Sequence, residues 1–301
     1  VKKAKDGKSD QIRKCIGCLN CFAELNQGRH IKCTVNATLG RELEFSDLNF
    51  NGQGNTVAVI GGGPAGMQAA LVLDQRGYNT VLFDDREKLG GTLNVADKAP
   101  IKDKVFAMNS SLVREIEESD VKVKTNTKAT PEMIKDLNPC GVFVAVGAIP
   151  TVPPIPGING NNVMKAEDVL LGKEIPKGKV AVIGSGLTGL ETAELLADKG
   201  HKIVLVEMQK NIGHGINRTI LADIMMRFNK HEPLIVSNHR LMSINKNEIM
   251  LLNQMTSQSL QIEVDTVVLA LGVTPRSDTV KEFMDTFDNV KIIGDAERAG
   301  R

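Results

Sequence analysis

The feature that most constrains the fold is a pattern of strand, glycine turn, helix and strand that occurs twice. The first copy starts at Thr56 and reads TVAVI, GGGPAG, MQAALVLDQRG and NTVLFDD. The second copy, 123 residues later, reads KVAVI, GSGLTG, LETAELLADKG and HKIVLVE. A buried strand, a glycine turn and a helix in this order are typical of the parallel crossover unit of dinucleotide-binding domains. The repeat therefore predicts an α/β fold with two Rossmann-like domains.

Each glycine turn predicts a dinucleotide site. In this motif the first glycine allows the tight turn, the second lets the backbone approach the pyrophosphate, and the third lets the helix pack on the strand. An acid that accepts ribose hydroxyl groups follows 23 residues after the first glycine in both copies. A purely structural turn is the alternative. The first predicted site comprises Gly61, Gly63, Pro64, Ala65, Gly66 and Asp84, and the second comprises Gly184, Gly186, Gly189 and Glu207.

Two dinucleotide sites in one chain predict a hydride donor and an acceptor. We expect FAD in the first domain and a nicotinamide nucleotide in the second. The carboxylate of Glu207 favours NADH over NADPH, because it would bind a 2'-hydroxyl group but repel a 2'-phosphate. Lys210 is the nearby cation that could reverse this preference.

Four cysteines precede the first glycine turn with the spacing C-x2-C-x2-C-x11-C. They are Cys15, Cys18, Cys21 and Cys33. Three closely spaced thiolates and a fourth from a short loop are typical of ferredoxin-type iron–sulfur clusters. Structural zinc is an alternative, although zinc sites usually take their ligands from two separate cysteine pairs. Thiols that bind no metal are a second alternative. Disulfides are disfavoured, because the sequence has no secretory signal and is long enough to bury an ordinary core.

Composition excludes several classes of function. Of 301 residues, 42% are hydrophobic, which suits a globular chain of about two domains. The 37 basic and 36 acidic residues form no basic stripe, so no nucleic-acid partner is expected. No apolar run is long enough to span a membrane, and VKKAKDGKSD lacks the apolar core of a signal peptide. We therefore expect a cytoplasmic protein. The first residue, Val1, and the abrupt ending GDAERAGR suggest a fragment of a longer polypeptide.

The order of the motifs predicts three functional segments. Residues 1–50 would bind the cluster, 51–165 together with 273–301 would bind FAD, and 166–272 would bind NAD(P)H. The segments PLIVSN, RLMSI, EIMLLN and SLQIEV are predicted to be short strands of an antiparallel meander. The last apolar segment, VKIIGD, is predicted to return to the first dinucleotide-binding domain.

The sequence resembles the iron–sulfur flavoprotein branch of the Old Yellow Enzyme family. The resemblance rests on IRKCIGCLNCF, CTVNATLGRE, VAVIGGGPAGMQAA, AVGAIPTVPPIPG, VAVIGSGLTGLETAE and IIGDA, and it covers nearly the whole chain. The branch includes 2,4-dienoyl-CoA reductase, 2-enoate reductase and trimethylamine dehydrogenase. In these proteins a TIM barrel with FMN and the substrate site comes first. This chain resembles the part after the barrel.

The resemblance implies roles for individual residues. The four cysteines would ligate a [4Fe–4S] cluster. Gly90 and Gly91 would help the first glycine turn and Asp84 to hold the adenosine diphosphate of FAD. Gly147 would lie along the flavin, and Asp295 would bind its ribityl chain. No catalytic residue is expected here, because the family's proton donor lies in the barrel.

Three departures from the family pattern affect the flavin site. Val146 stands where the family often has Thr, Thr92 replaces a common Gln, and the chain ends six residues after Asp295. In trimethylamine dehydrogenase the corresponding site holds only ADP, so ADP is an alternative occupant.

The resemblance implies a role in electron transfer, in which NADH reduces FAD and electrons pass through the cluster to FMN in the missing barrel. The barrel, in the same polypeptide or a partner chain, would reduce an activated carbon–carbon double bond. The alternatives are a free-standing NAD(P)H:acceptor oxidoreductase subunit and a non-catalytic module that binds ADP and a cluster. Self-association into a homo-oligomer is left open.

Overall fold

The computed structural model describes residues 2–45 and 48–299, apart from the side chains of Lys2 and Asp10. These residues form two compact units. The first comprises Val1–Asp97, Lys102–Ile149 and Pro275–Arg301, and the second comprises Lys98–Ile101 and Pro150–Thr274. The assignment of functional segments within these units stays a prediction.

The strands follow the repeat identified in the sequence. They are β1 (Thr56–Ile60), β2 (Asn79–Phe83), β3 (Lys122–Lys124), β4 (Gly141–Val144), β5 (Ala148–Pro150), β6 (Val163–Lys165), β7 (Val180–Ile183), β8 (Ile203–Val206), β9 (Leu234–Val236), β10 (His239–Ile244), β11 (Glu248–Asn253), β12 (Ser259–Glu263), β13 (Thr266–Leu269), β14 (Val273–Pro275) and β15 (Val290–Ile292).

The helices vary widely in length. They are α1 (Lys2–Lys5), α2 (Asn20–Asn26), α3 (Pro64–Gln75), α4 (Leu93–Ala96), α5 (Asp103–Glu117), α6 (Pro131–Lys135), α7 (Ala166–Leu170), α8 (Leu187–Asp198), α9 (Arg218–Phe228) and α10 (Ser277–Met284). Short 3₁₀ turns lie at Ser9–Gln11, Asn229–His231 and Gly294–Ala296. Among the described residues, no helix is long and apolar enough to cross a membrane.

The first unit is built on a five-stranded sheet in the order β15-β4-β1-β2-β3. All of its strand pairs are parallel. Its central strands are apolar on both faces because helices cover both faces. Val57, Val59 and Leu82 pack against α3 and α5, whereas Ala58 and Phe83 belong to the cluster that includes residues of α6 and α10. The last strand, β15, pairs with β4, so the chain returns to this sheet as predicted.

The second unit repeats this plan in the order β6-β13-β7-β8-β9, again with only parallel pairs. One face packs on α7, α8 and α9, and the other on the antiparallel sheet β10-β11-β12. The prediction for PLIVSN was wrong in one respect. This segment forms β9 and pairs in parallel with β8, so three strands, not four, form the meander. The helix α9 precedes β9, and a helical crossover delivers a strand parallel to its neighbour.

Candidate functional site

The first candidate site lies at the carboxyl edge of the first sheet. Because parallel strands end at the same edge, the loops after β1, β2, β4 and β15 come together there. The turn at Gly294 lies against the start of α3, since a Cβ atom added to Gly294 would lie 2.8 Å from the Cβ atom of Ala65. Asp295 follows in the same turn. The predicted ribityl-binding residue is therefore on the same edge as the glycine turn.

The glycine turn after β1 has the shape that its motif predicts. Gly61 has a φ of +107° and donates its N–H to the carbonyl of Phe83 at 2.8 Å. A Cβ atom on Gly66 would lie 1.8 Å from the carbonyl oxygen of Gly61, so helix and strand approach as closely as glycine allows. In contrast, the nearest atom to a Cβ on Gly63 is the Cα of Gly91, at 3.9 Å. The backbone at the second glycine is thus open to a ligand.

The helix that starts at this turn has free donors at its amino end. Gly63 is the residue before α3, Pro64 is its first residue, and the described structure has no side-chain cap there. The backbone N–H groups of Ala65 and Gly66 precede the first intrahelical donor, the N–H of Met67. Such N–H groups, at the positive end of the helix dipole, bind phosphate.

The carboxylate of Asp84 is buried and tied to the turn. Its Oδ2 accepts the N–H of Gly62 at 2.6 Å, and its Oδ1 accepts the N–H of Arg86 at 2.8 Å. A carboxylate has about four acceptor positions, so about one stays available on each oxygen. This is suitable for a ribose that offers two hydroxyl groups.

The Gly90–Gly91 pair closes around the same turn. Gly90 donates its N–H to the carbonyl of Gly62 at 2.8 Å, and a Cβ on Gly91 would lie 2.9 Å from the Cα of Gly63. Gly147 lies beyond the end of β4 with a φ of +71° and no atom within 4 Å of its Cβ position. The structure therefore brings the predicted residues of the first site to one edge.

Of the departures from the family pattern, Val146 is partly buried against the apolar cluster that includes residues of β1, β2, β4 and α10. Thr92 is exposed and precedes α4.

The second unit contains the same geometry. Gly184 has a φ of +100° and donates its N–H to the carbonyl of Val206 at 2.8 Å. A Cβ atom on Gly189 would lie 2.0 Å from the carbonyl oxygen of Gly184, whereas one on Gly186 would meet nothing within 4 Å. Gly186 is exposed and precedes α8, whose amino end has no side-chain cap in the described structure. Here too the second glycine is open to a ligand.

The carboxylate of Glu207 accepts three hydrogen bonds. Its Oε2 accepts the N–H and the hydroxyl of Ser185, at 2.9 and 2.6 Å, and its Oε1 accepts the N–H of Gln209 at 2.8 Å. About one acceptor position is therefore left, on Oε1.

Two residues of this site, Ser185 and Gly213, were not among those predicted from the sequence. The N–H of Gly213 donates to both the carbonyl and the hydroxyl oxygen of Ser185, each at 3.1 Å. The pair Gly62 and Gly90 in the first unit has the same spacing of 28 residues and the same backbone hydrogen bond. Extending the internal repeat past the acids would have identified Gly213.

The cysteine segment, which lies within residues 1–50, precedes the first sheet. Gly17, with a φ of +70°, donates its N–H to the Sγ of Cys15 at 3.4 Å, and the Sγ of Cys18 lies 3.2 Å from the hydroxyl of Thr34. Because Thr34 directly follows Cys33, this second contact brings the chain at Cys33 close to Cys18. All four thiols are free, and Cys15 is exposed while the others are partly buried.

These thiols are not gathered around a single point. Within residues 2–45 and 48–299, no three His, Cys, Asp or Glu side chains lie close enough to hold one metal ion. A single zinc ion would hold its sulfur ligands about 3.8 Å apart, as follows from a tetrahedron with Zn–S bonds of about 2.3 Å. In a four-iron cluster each thiolate binds its own iron, so a wider spacing is required. The donor set, four thiols with N–H and hydroxyl groups beside them, fits the chemistry of a cluster.

Two charged groups hold the cysteine segment in place. Arg29 donates two hydrogen bonds to Glu24, at 2.8 and 3.0 Å, which lowers the pKa of that carboxyl and closes the loop between Cys21 and Cys33. Arg13 pairs with Glu115 of α5 through both carboxylate oxygens, and it donates to Gln68 of α3 at 2.8 Å. Arg13 thus attaches the segment to two helices of the first unit.

Comparison with known proteins identifies the family. The sequence pattern of the pyridine nucleotide-disulphide oxidoreductases matches residues 55–293, which include both glycine turns. The chain belongs to this family. Membership confirms the predicted α/β fold and the oxidoreductase class, and it supports the binding of FAD and a nicotinamide nucleotide.

The chain is also similar to larger redox proteins. It is 36% identical over 307 residues to the NADH oxidase of Thermoanaerobacter brockii, covering 100% of this chain and 47% of that protein. It is 36% identical over 301 residues to the bilirubin reductase of Mediterraneibacter gnavus, covering 99% and 46%. The solved structure of 2-naphthoyl-CoA reductase with 2-naphthoyl-CoA matches with a TM-score of 0.93 at 26% identity, covering 100% and 46%.

These relatives confirm the resemblance drawn from the motifs. The chain spans about half the length of each of them.

Proposed function

We propose that this chain is the electron-transfer part of an NADH-dependent iron–sulfur flavoenzyme. When bound, the cofactors supply hydride transfer from NADH to FAD and electron transfer through a [4Fe–4S] cluster to an FMN-containing barrel, which reduces an activated carbon–carbon double bond. The residues of this chain bind and orient these groups.

One observation carries the proposal: the same ligand-binding geometry occurs on two separate sheets. In each unit an open second glycine precedes an uncapped helix, and an acid is hydrogen-bonded to the residue after the first glycine, at 2.6 Å in one unit and 2.9 Å in the other. A structural turn requires the first and third glycines, but it does not require an open second glycine or an acid beside it. Two dinucleotides account for both features.

Each acid would hold the ribose of a different nucleotide. Asp84, with one free acceptor position on each oxygen, would hold the adenosine ribose of FAD. Glu207 would hold the ribose of NADH and repel the 2'-phosphate of NADPH. Gly147 and Asp295, on the edge that carries the first turn, would contact the flavin end of FAD.

The cysteine segment belongs to the same compact unit as the proposed FAD site. The N–H···S bond from Gly17 to Cys15 is the kind of contact that adjusts the potential of a cluster. The names of the relatives, an NADH oxidase and two reductases, agree with this direction of electron flow. The half of those relatives that lies outside the match would supply the barrel.

Analysis of the bound groups tests the proposal. We expect the full-length protein, purified without oxygen, to release FAD on denaturation and to contain about four iron and four sulfide ions in this segment. Cys18→Ser should lose this iron, whereas Cys140→Ser is the control, because Cys140 is a free, exposed cysteine outside the run. Recovery of zinc, or of ADP in place of FAD, would contradict the proposal.

A further inference from the structure

The hydroxyl group of Ser185 joins three segments of the second dinucleotide site. Ser185 lies in the glycine turn and is fully buried. Its hydroxyl donates to the Oε2 of Glu207 at 2.6 Å and accepts the N–H of Gly213 at 3.1 Å. One side chain therefore connects the pyrophosphate turn, the ribose-binding acid and the loop after that acid.

The first unit has no equivalent side chain. Gly62 occupies the corresponding position, and a Cβ atom there would lie 2.3 Å from the Cδ2 of Leu89 and 2.9 Å from the Oδ2 of Asp84. The backbone bonds of the two turns match, so the serine hydroxyl is an addition specific to the second site. The two sites thus differ in how firmly the acid is held.

The hydroxyl of Ser185 occupies one acceptor position of the Glu207 carboxylate and restricts its rotation. With two donors on Oε2 and one on Oε1, the carboxylate keeps about one acceptor position, on Oε1. Because Ser185 is fully buried, removal of the hydroxyl would free a position that faces the protein interior and not the ribose. It would also leave the carboxylate held only by the backbone N–H groups of Ser185 and Gln209, so that it could rotate more readily toward solvent, where the following residues, Met208–Lys210, are exposed.

We propose that Ser185 is a positioning residue that sets the preference for NADH over NADPH; this rests on the proposed nicotinamide site. A fixed carboxylate accepts a 2'-hydroxyl without losing side-chain entropy on binding. The same carboxylate cannot turn away from a 2'-phosphate, so the repulsion is felt in full. Ser185 therefore strengthens the binding of NADH and weakens the binding of NADPH.

Calorimetric titration of the full-length holoenzyme with NAD⁺ and NADP⁺ tests this without turnover. In Ser185→Ala and Ser185→Gly, the ratio of the Kd for NADP⁺ to the Kd for NAD⁺ should fall about three- to tenfold, the size expected for one hydrogen bond. Ser185→Thr keeps the hydroxyl and should restore the ratio. A general loss of packing would weaken both nucleotides equally and leave the ratio unchanged.

Thr192→Val is the matched control. Thr192 is also fully buried, in α8, but its hydroxyl donates to the carbonyl of Thr188 and not to Glu207. This variant should keep the wild-type ratio. If Ser185→Ala still binds NAD⁺ and the ratio of the two Kd values is unchanged, Ser185 does not set the preference, although the nicotinamide site itself is not contradicted. Failure of the wild-type protein to bind either nucleotide overturns the nicotinamide site as well.

Discussion

A methyl group added at Gly189 would lie 2.0 Å from the carbonyl oxygen of Gly184, whereas one added at Gly186 would meet no atom within 4 Å. The backbone of Gly186, with φ −63° and ψ 177°, is also open to any residue. These two glycines of one motif therefore meet different requirements. Gly189 is needed for the helix to pack on its strand, and Gly186 is needed only if a ligand approaches its backbone.

This difference gives a prediction for single substitutions in the second site. Gly186→Ala should change the free energy of unfolding by less than about 1 kcal/mol, while it weakens NADH binding at least about tenfold by blocking the pyrophosphate. Gly189→Ala should destabilise the protein by about 1–3 kcal/mol or more, because the new methyl group meets fixed backbone. Thermal unfolding and nucleotide titration of both variants measure these effects. Full nucleotide affinity in Gly186→Ala would show that the turn is only structural.

At the scale of elements, the cysteine segment depends on the rest of the first unit for its position. The segment contains only short helices, and Val35 is the one buried apolar residue among the described residues of 2–45. Arg13 supplies a fixed attachment through α5 and α3, and its side chain and that of Glu115 are each about one-fifth exposed, at 22% and 21%. Partly buried, bidentate pairs of this kind contribute more than exposed ion pairs.

We therefore predict that Arg13→Gln loosens the cysteine segment. The loss of charged hydrogen bonds should lower the free energy of local opening by about 1–3 kcal/mol. Hydrogen exchange of the amides of residues 14–36 measures this opening, and exchange in α8 should not change. Arg41→Gln is the control, because Arg41 forms a solvent-exposed pair with Glu44 in the same segment and its loss should leave the exchange rates near those of the wild type. Equal protection in Arg13→Gln and the wild type would mean that other contacts hold the segment.

At the scale of the whole molecule, the two units each have their own sheet and their own apolar clusters. The relatives extend to about twice the length of the chain. In the proposed function the nicotinamide and flavin sites lie within this chain and the substrate site lies outside it. Under that proposal, electrons would pass through the cysteine segment to reach the substrate.

This arrangement predicts that loss of the cluster separates two half-reactions. In full-length Cys18→Ser, NADH should still reduce FAD in a single turnover within about twofold of the wild-type rate, because the dinucleotide sites are unchanged. Reduction of an enoate or enoyl-CoA by NADH should fall by at least about 100-fold. Stopped-flow flavin absorbance and steady-state product analysis measure the two rates. If substrate reduction persists in an iron-free variant, the path does not include the cluster.

The two dinucleotide-binding units can be predicted from the sequence alone, because each turn is a local motif whose glycines and acid have fixed spacings. The order of the segments also predicted that VKIIGD, which follows the second unit, returns to the first; the structure adds that this strand, β15, pairs with β4. The tertiary structure decided the rest, because it depends on contacts between residues distant in sequence. It placed PLIVSN as a fifth parallel strand, since the direction of a strand follows from the helix before it. It also linked the Ser185 hydroxyl to Glu207 and Gly213, and Arg13 to Glu115, through side-chain hydrogen bonds across 22, 28 and 102 residues. The internal repeat indicates the position of Gly213, but neither the repeat nor any local motif indicates that these side chains are hydrogen-bonded.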